Sequence, residues 1–153
     1  MRKSRLKTTA LLSLFILSFS TIAASNKVTV FQCANKNHKM VNVSLQDGIY
    51  TYRFGKINQQ PDIELHRSPE QLTHRFNNIS ATETDTGKAQ IRELNFKNGD
   101  FIYTVTSSEL GTKYVASVDV YKKEMLLTSI KCQPETIIDH LSDYLFDLPE
   151  ADS

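Results

Sequence analysis

Hydrophobic and polar residues alternate with a period of two through most of the chain between Cys33 and Cys132. This spacing is typical of β-strands that bury one face and expose the other. Asp47-Gly48 and Asn98-Gly99 are residue pairs that favour two-residue hairpin turns. The predicted strands cover residues 28–33, 39–45, 49–55, 62–66, 89–97, 100–107, 114–121 and 125–132.

The strand that follows the first turn carries Tyr50, Tyr52 and Phe54 on one face. Aromatic residues at period two usually form one side of a hydrophobic core, and we interpret these three in that way. Arg53 and Lys56 would then be solvated neighbours. The alternative is an aromatic surface flanked by cations, which could stack on sugar rings or on a partner protein.

Residues 67–88 follow the strand pattern least. Ser68 and Pro69 resemble the cap and first position of a helix, which predicts about two helical turns up to Phe76. The polar stretch 77–88 that follows is rich in Thr and Asn. We expect it to be an exposed loop.

After Cys132 the spacing of apolar residues becomes helical, and Pro134 suits a first turn. The pattern predicts an amphipathic helix over residues 135–148, with Asp139, Asp143 and Asp147 on a separate stripe. The apolar positions of this helix are Ile137, Ile138, Leu141, Tyr144, Leu145 and Leu148.

These elements predict a mainly β fold, a single antiparallel meander of seven or eight strands followed by a C-terminal amphipathic helix. In the strand 100–107, apolar and aromatic residues alternate with Ile102, Thr104 and Thr106, so both faces should be partly covered. A barrel-like or rolled sheet is favoured because closure removes exposed strand edges.

The amino-terminal residues have the layout of a secretory signal peptide: a basic start, an apolar run over residues 9–19, and small residues around Ala24. The alternative is a membrane anchor, but an apolar run of about a dozen residues is shorter than a bilayer requires. We predict a signal peptide over 1–24, a β domain over 25–132 and an acidic helix and tail over 133–153. The expected location is the periplasm, with secretion as the alternative and no membrane attachment after cleavage.

Removal of the signal peptide leaves 14 of the 18 basic residues against 17 acidic ones. The acidic excess is concentrated in residues 133–153, which hold six carboxylates and no Lys or Arg. The rest of the mature chain is mildly basic, too weakly so for nucleic acid, and it carries no recognition motif for nucleic acid. The acidic segment instead favours a partner with a basic surface.

Cys33 and Cys132 both belong to the predicted mature chain. In an oxidising compartment two cysteines most simply form one disulfide. A redox pair is the other interpretation, but the spacing is not Cys-x-x-Cys. We therefore predict a structural disulfide that brings the first and last strands of the domain together.

No combination of residues in the sequence indicates catalysis. The four histidines lack the spacing of metal ligands, and the predicted mature chain contains no Gly-x-Ser-x-Gly or Ser-x-x-Lys motif. Carboxylate pairs, Glu64 or Glu93 with Asp62 or Asp100, are the remaining option for acid–base chemistry. We predict a protein that is not an enzyme and that uses neither a metal nor another cofactor.

Several segments resemble small exported proteins of Gram-negative bacteria that have no assigned function: Phe31-Gln32-Cys33, the run Tyr-Arg-Phe-Gly-Lys ending at Lys56, Phe96-Lys-Asn-Gly99 before Phe101-Ile-Tyr103, and Cys132. In size and export the chain is also similar to periplasmic lysozyme inhibitors and to immunity proteins that neutralise cell-wall toxins. The Ser-Gly-x-x-Tyr loop of one lysozyme-inhibitor family is absent, so the resemblance implies no active residues.

We therefore predict an exported binding protein of the inhibitor or immunity type, whose partner is another envelope protein such as a basic hydrolase or toxin. The candidate binding residues are Asp139, Asp143 and Asp147 on the acidic stripe and Arg53 and Lys56 beside the aromatic face. The alternatives are a carrier of a small apolar ligand and an enzyme that acts on carbohydrate or peptide.

Overall fold

A computed structural model describes residues 25–79 and 87–152, which form two antiparallel sheets of five strands each. The predicted antiparallel β fold is confirmed. The first sheet contains β1 (Val28–Ala34), β2 (Lys39–Gln46), β3 (Ile49–Lys56), β4 (Ile63–Arg67) and β10 (Ile138–Asp139). The second contains β5 (Leu72–Ile79), β6 (Ala89–Asn98), β7 (Phe101–Leu110), β8 (Lys113–Lys122) and β9 (Met125–Lys131).

The strands β1 to β4 are neighbours in chain order in the first sheet. The turn between β2 and β3 is Asp47-Gly48, with φ angles of 52° and 75°. Two positive φ angles define the type I′ turn, whose twist matches that of the flanking strands. The hairpin predicted at this position is confirmed.

The strands β5 to β9 are likewise neighbours in chain order in the second sheet. Asn98 lies opposite Phe101, so the loop between β6 and β7 is Gly99-Asp100. The predicted turn is therefore displaced by one residue. Gly99, with φ of 61°, occupies the first central position, where a type II′ turn requires glycine.

The helix predicted from Ser68 to Phe76 is wrong beyond its first turn. Pro69–Gln71 form a short 3₁₀ helix, in which the Gln71 side chain accepts a hydrogen bond from the Ser68 amide at 3.1 Å. Strand β5 follows, with Leu72 and His74 buried at alternate positions. Pairing with β6 satisfies the backbone groups of this segment, and it overrides a weak local preference for helix.

The loop predicted over 77–88 is only partly described. Residues 77–79 belong to β5, where Asn77 pairs with Ile91 and Asn78 with Gln90. Residues 80–86 lie outside the described part of the chain. Residues 77–79 are therefore strand and not loop, because backbone pairing with β6 extends β5 into polar sequence.

The hydrophobic core lies between the two sheets. Tyr52 of the first sheet is 1% exposed, and its ring centroid lies 5.4 Å from that of Phe96 and 5.5 Å from that of Tyr103 in the second sheet. Tilted rings at such distances add a specific attraction to the gain from burial. Tyr50, Tyr52 and Phe54 therefore face the core cluster, as the sequence predicts.

The prediction of a barrel-like closure is wrong, because no backbone ladder joins the two sheets in residues 25–79 and 87–152. The predicted disulfide is present and links Cys33 of β1 to Cys132, which follows β9. The Cys132 amide bonds to the Ala116 carbonyl of the second sheet at 3.0 Å, and the Gln133 amide bonds to the Ala34 carbonyl of the first at 2.8 Å. The chain thus changes sheets at the disulfide.

The sheets are also tied together where β4 lies near β6. The guanidinium of Arg67 donates hydrogen bonds to the Lys97 carbonyl from Nε at 3.1 Å and from Nη2 at 2.7 Å. The two sheets are therefore joined by side-chain hydrogen bonds, the disulfide and the carboxyl-terminal segment, whereas in a barrel they would be joined by a continuous backbone ladder.

The helix predicted over 135–148 is wrong in extent, since it is a single turn, α1 (Leu141–Tyr144), followed by a 3₁₀ helix at Leu145–Asp147. Another 3₁₀ helix, Pro134–Thr136, and strand β10 precede it. Strand β10 pairs with the edge of β1, which would otherwise leave its backbone groups unpaired. Tertiary hydrogen bonds thus divide a segment whose local pattern is helical.

Most of the apolar residues of this segment pack into the core, as their spacing in the sequence predicts. Leu141, Leu145 and Leu148 are buried, whereas Ile138 remains exposed. Beyond them the chain pairs with β5, because the His74 amide bonds to the Pro149 carbonyl at 2.9 Å and the His74 carbonyl accepts from the Ala151 amide at 2.8 Å. The carboxyl-terminal segment therefore covers one edge of each sheet.

Within the two described ranges, no helix has the length and apolar character needed to cross a membrane. The signal peptide predicted over residues 1–24 lies outside those ranges. The disulfide is the structural feature that accords with an exported protein.

Candidate functional site

Arg53 lies on the outer face of the first sheet and is bound to Glu64 of the neighbouring strand. Its Nε and Nη2 atoms donate to the two carboxylate oxygens at 2.8 and 3.1 Å. Lys56, three residues later, is exposed at the end of β3. The sequence proposes Arg53 and Lys56 together as binding residues, but their availability differs. The guanidinium of Arg53 is already paired with Glu64, whereas Lys56 is accessible to a partner.

The carboxylate of Glu64 also lies 2.9 Å from Nε2 of His66, whose Nδ1 is 3.1 Å from the Thr51 hydroxyl. The hydrogen bond from Arg53 lowers the pKa of Glu64, and the charges of Arg53 and His66 lower it further. This network spans β3 and β4. It holds the outer face of the first sheet in one arrangement.

The three aspartates of the predicted acidic stripe do not share a helical face, because their segment is not one helix. Asp139 in β10 accepts hydrogen bonds from the Tyr114 hydroxyl and, at 2.8 Å, from the Leu141 amide. Asp143 is exposed and lies 3.7 Å from Nδ1 of His140. Asp147 is exposed as well.

Asp139 has a structural role, because its hydrogen bonds connect the two sheets. Its hydrogen bond joins β10 of the first sheet to Tyr114 in β8 of the second. Burial, followed by the hydrogen bond and charge of Asp139, raises the pKa of Tyr114. The binding role proposed for Asp143 and Asp147 stays a prediction.

A groove of about 530 Å³ crosses the outer face of the second sheet, and it is the best candidate for a binding site. Thr73, Asn95 and Thr104 line its floor. The strand register continues this row of polar side chains, one from each strand, beyond the residues that line the groove to Asp119 and Ser129. We call it the polar row.

Hydrogen bonds fix the first half of the polar row. The Thr104 hydroxyl donates to the Asn95 amide oxygen at 2.7 Å, and the Asn95 amide nitrogen donates to the Thr73 hydroxyl at 3.2 Å. Thr104 is only 6% exposed although it faces away from the core, which confirms that both faces of β7 are partly covered. Asp119 is half-buried, and its Oδ1 atom has no hydrogen-bond partner in the described part of the chain.

The walls of the groove combine an apolar side and a charged rim. Ile102 and Tyr121 lie on the side of β7 and β8, and Ala151 of the carboxyl-terminal segment lies on the side of β5. The rim carries an excess of carboxylates over cations: Glu70, Glu93, Glu124 and Asp152 against Arg75 and Lys97. A groove with this charge balance is suited to a ligand that carries positive charge.

Tyr121, on the wall of the groove, is influenced by the charges of two carboxylates. Burial raises the pKa of its hydroxyl, and the carboxylates of Asp119 and Glu93 raise it further. Neither carboxylate forms an ion pair with a residue of the ranges 25–79 and 87–152. Arg75 of the rim lies opposite Glu93 in the strand register without forming an ion pair with it.

Most of the groove was not predicted from the sequence. Glu93 was singled out as a carboxylate and Thr104 as part of a covered face, but nothing connected them. Thr, Asn and Asp at alternate positions of separate strands are also what an ordinary solvated face contains. Only the register of five strands brings them into one row.

The arrangement offers hydrogen-bond acceptors, carboxylates and one aromatic ring, which are groups for binding. Asp62 and Glu64, two of the carboxylates considered for acid–base chemistry, are paired with Lys39 at 2.7 Å and with Arg53. The residues that the structure describes contain no group of three His, Cys, Asp or Glu side chains placed to hold a metal ion.

The chain was compared with known proteins by sequence and by fold. No family model, no curated protein and no solved structure matches it. Each role discussed below therefore comes from the geometry and chemistry of this chain.

Proposed function

We propose that this protein is an exported, non-enzymatic binding protein of the periplasm, whose partner is another envelope protein with a basic surface. An inhibitor or an immunity protein for a cationic hydrolase or toxin is the class that fits. The observation that carries the proposal is the groove on the second sheet, where four rim carboxylates face two cations. Complementary charge speeds encounter with a basic partner and selects against acidic ones.

The construction of the groove supports binding because its floor is preorganised. Backbone ladders on both sides align the polar row, and side-chain hydrogen bonds hold Thr73, Asn95 and Thr104 in place. A surface that is ordered before contact loses less conformational entropy when it binds. The disulfide adds to this rigidity by linking the two sheets.

The acidic carboxyl-terminal segment contributes directly to the same surface. Ala151 and Asp152 line the groove, and Arg75 donates a hydrogen bond to the Asp152 carbonyl at 3.2 Å. This contact places the end of the acidic segment beside the groove. The acidic tail thereby adds negative charge to the rim.

The carrier alternative receives less support from the packing. The face of Tyr50, Tyr52 and Phe54, which would have enclosed an apolar ligand, is packed against the second sheet. The rings of Phe96 and Tyr103 lie within 5.5 Å of the Tyr52 ring. These side chains occupy the space that a ligand would need.

The test is capture of a partner by the oxidised mature chain, residues 25–153, immobilised and exposed to envelope extract at low salt. We expect one basic protein to be retained and to be released as ionic strength rises. Binding to that purified protein is then measured for Glu93→Lys on the groove and for Lys56→Glu on the first sheet. Reversal at Glu93 should weaken binding about tenfold or more, while reversal at Lys56 should have little effect.

Two results would contradict this proposal. Retention of no protein by the folded, oxidised chain would remove the binding function. Loss of affinity in Lys56→Glu together with unchanged affinity in Glu93→Lys would move the interface to the first sheet, where the sequence places Arg53 and Lys56.

A further inference from the structure

We propose that the outer face of the first sheet binds the phosphate group of a small polar molecule. The site is a hollow of about 290 Å³ beside the end of β3, which we call the β3 hollow. It shares no residue with the groove on the second sheet, so binding here goes beyond the proposed function. The polar side chains that line it are cations and amides: Lys27, Asn42, Arg53, Lys56, Asn58 and Gln59.

Strand pairing and a turn bring these side chains together. Asn42 of β2 lies opposite Arg53 of β3 in the register. The chain then turns after β3, where the Gln59 amide bonds to the Lys56 carbonyl at 3.2 Å. This turn places side-chain amides beside the cations of the strand. The volume is near the lower end of ligand pockets, about 300 Å³, which suits a small molecule.

The guanidinium of Arg53 is held in place and still has donors to offer. Its bonds from Nε and Nη2 to Glu64 fix the plane of the group. Its Nη1 atom has no hydrogen-bond partner in the described ranges, and 41% of the side chain is exposed. A guanidinium carries five N–H groups in a planar fork, so the edge formed by Nη1 and Nη2 is free for two parallel bonds to an oxyanion.

The charge around the β3 hollow is positive and is not neutralised by the protein. Lys27 and Lys56 are exposed and form no ion pair within residues 25–79 and 87–152. The carboxylates of Asp62 and Glu64 are each paired with a cation of β2 or β3. The surplus is therefore two positive charges. A phosphate monoester carries about −1.5 to −2 at neutral pH, which matches this surplus.

The amides of the β3 hollow suit the rest of such a ligand. Asn42 donates one of its two amide protons to Gln32 at 3.2 Å, which leaves the other available. Asn58 and Gln59 are exposed in the turn after β3. Amide side chains both donate and accept, so they complement the hydroxyls of a sugar or another polyol.

Other classes of ligand fit the β3 hollow less well. A basic ligand would be repelled by the surplus of positive charge. A divalent metal needs several oxygen ligands, and the described residues contain no group of three His, Cys, Asp or Glu side chains placed to hold one. A carboxylate fits the fork of Arg53 but neutralises only one of the two surplus charges.

The experiment is a titration of the ¹⁵N-labelled, oxidised chain 25–153 at constant ionic strength in sodium chloride. The probes are inorganic phosphate and ribose 5-phosphate, with acetate and ribose as the monoanionic and neutral comparisons. We expect both phosphates to shift the Arg53 Nε–H signal and the amide signals of residues 53–59, and ribose 5-phosphate to bind more tightly than the inorganic ion. Acetate should bind more weakly, and ribose should leave these signals unchanged.

Two results of this titration would overturn the proposal. Equal responses to phosphate and acetate would mean that the surface attracts any anion without selecting phosphate. Binding of ribose 5-phosphate that is weaker than that of inorganic phosphate would remove the small phosphorylated molecule as the ligand.

Variants identify the groups responsible. Arg53→Lys keeps the charge and removes the planar fork, and it should weaken binding of ribose 5-phosphate about tenfold. Lys56→Gln removes an exposed charge and should weaken it about threefold, without disturbing the pair between Arg53 and Glu64. Lys113→Gln, at an exposed lysine of β8 outside the β3 hollow, is the matched control and should bind like the wild type. Undiminished binding in both Arg53→Lys and Lys56→Gln would contradict the inference.

The two sites can fail independently. A chain that captures no envelope protein but binds ribose 5-phosphate retains the β3 hollow and loses the proposed partner. A chain that captures a basic protein but binds no phosphate retains the proposed function and loses the β3 hollow as a site.

Discussion

Tyr114 in β8 and Asp139 in β10 form a hydrogen bond that joins the two sheets through side chains. Tyr114 is partly buried, and the same carboxylate accepts the Leu141 amide at the start of α1. One aspartate therefore connects an interior strand of the second sheet, an edge strand of the first and the only helical turn of α type in the described ranges. Such a contact links the folding of the carboxyl-terminal segment to that of the sheets.

Removal of this hydroxyl should lower stability. We expect Tyr114→Phe to reduce the free energy of unfolding by about 1–3 kcal/mol, because the Asp139 carboxylate loses a donor in a partly buried place. Chemical denaturation at neutral pH measures this difference. Tyr121→Phe, whose hydroxyl has no hydrogen bond in the described structure, is the matched control and should cost less.

The same contact predicts a dependence on alkaline pH. The pKa of Tyr114 is higher in the folded protein than its ordinary value of 10.0, so the folded state favours the neutral phenol. Its contribution is complete below pH 10 and is lost as pH rises toward the folded pKa. We expect the stability difference between wild type and Tyr114→Phe to shrink above pH 10. A difference that grows there would contradict the assigned bond.

The disulfide between Cys33 and Cys132 encloses most of the β domain, with a sequence separation of 99 residues. On the chain-entropy description, its loss should cost about 4–5 kcal/mol of stability. Urea denaturation of the oxidised chain and of the Cys33→Ala, Cys132→Ala double variant measures the loss. Intact mass under non-reducing conditions should show the oxidised chain lighter than the reduced one by two hydrogen atoms. Two free thiols in exported material would contradict the bond.

Gly55 in β3 occupies a place that no side chain fits. A Cβ atom there would lie 2.8 Å from the Asp62 amide nitrogen and 2.8 Å from the Pro61 Cα atom, both of them backbone. We expect Gly55→Ala to cost about 1–3 kcal/mol, the usual effect of overpacking. Thermal or chemical unfolding measures this loss of stability. The control is Lys56→Ala at the exposed neighbouring position, which should change stability by less than about 0.5 kcal/mol. Equal effects of the two changes would contradict the close approach.

The acidic residues of the carboxyl-terminal segment should separate into two classes. Asp143→Asn with Asp147→Asn should leave thermal stability equal or slightly raised, since both side chains are exposed. Addition of Asp139→Asn should lower it, because that carboxylate is bonded to Tyr114. The midpoint of thermal unfolding distinguishes the double from the triple variant. A triple variant as stable as the double would mean that the Asp139 contact contributes nothing.

The site was less accessible to sequence reasoning than the fold. Period-two spacing located β1 to β4 and β6 to β9, and it showed that both faces of β7 are partly covered. It did not show that Asn95, Thr104 and Asp119 stand side by side, because each lies on a different strand and only the pairing register aligns them. The Asn95–Thr104 bond was likewise invisible.

Local patterns determined what depends on neighbours in the sequence. In a strand of alternating residues, the positions of the apolar side chains determine which face turns to the core. Asp47-Gly48 adopts positive φ angles at low energetic cost, so the turn also follows from the residues themselves. Two cysteines in a chain whose sequence predicts export likewise indicated the bond that links Cys33 to Cys132.

Tertiary structure decided the features that depend on distant partners. Residues 72–76 became a strand and residues 135–148 were divided into short elements because backbone groups on the edges of β6, β1 and β5 required partners. Local helical preference amounts to a fraction of a kcal/mol per residue, and an unpaired buried backbone group costs more than that. The sequence therefore determined where strands could form, whereas contacts between remote segments determined how the edges were covered and which polar side chains met in the groove.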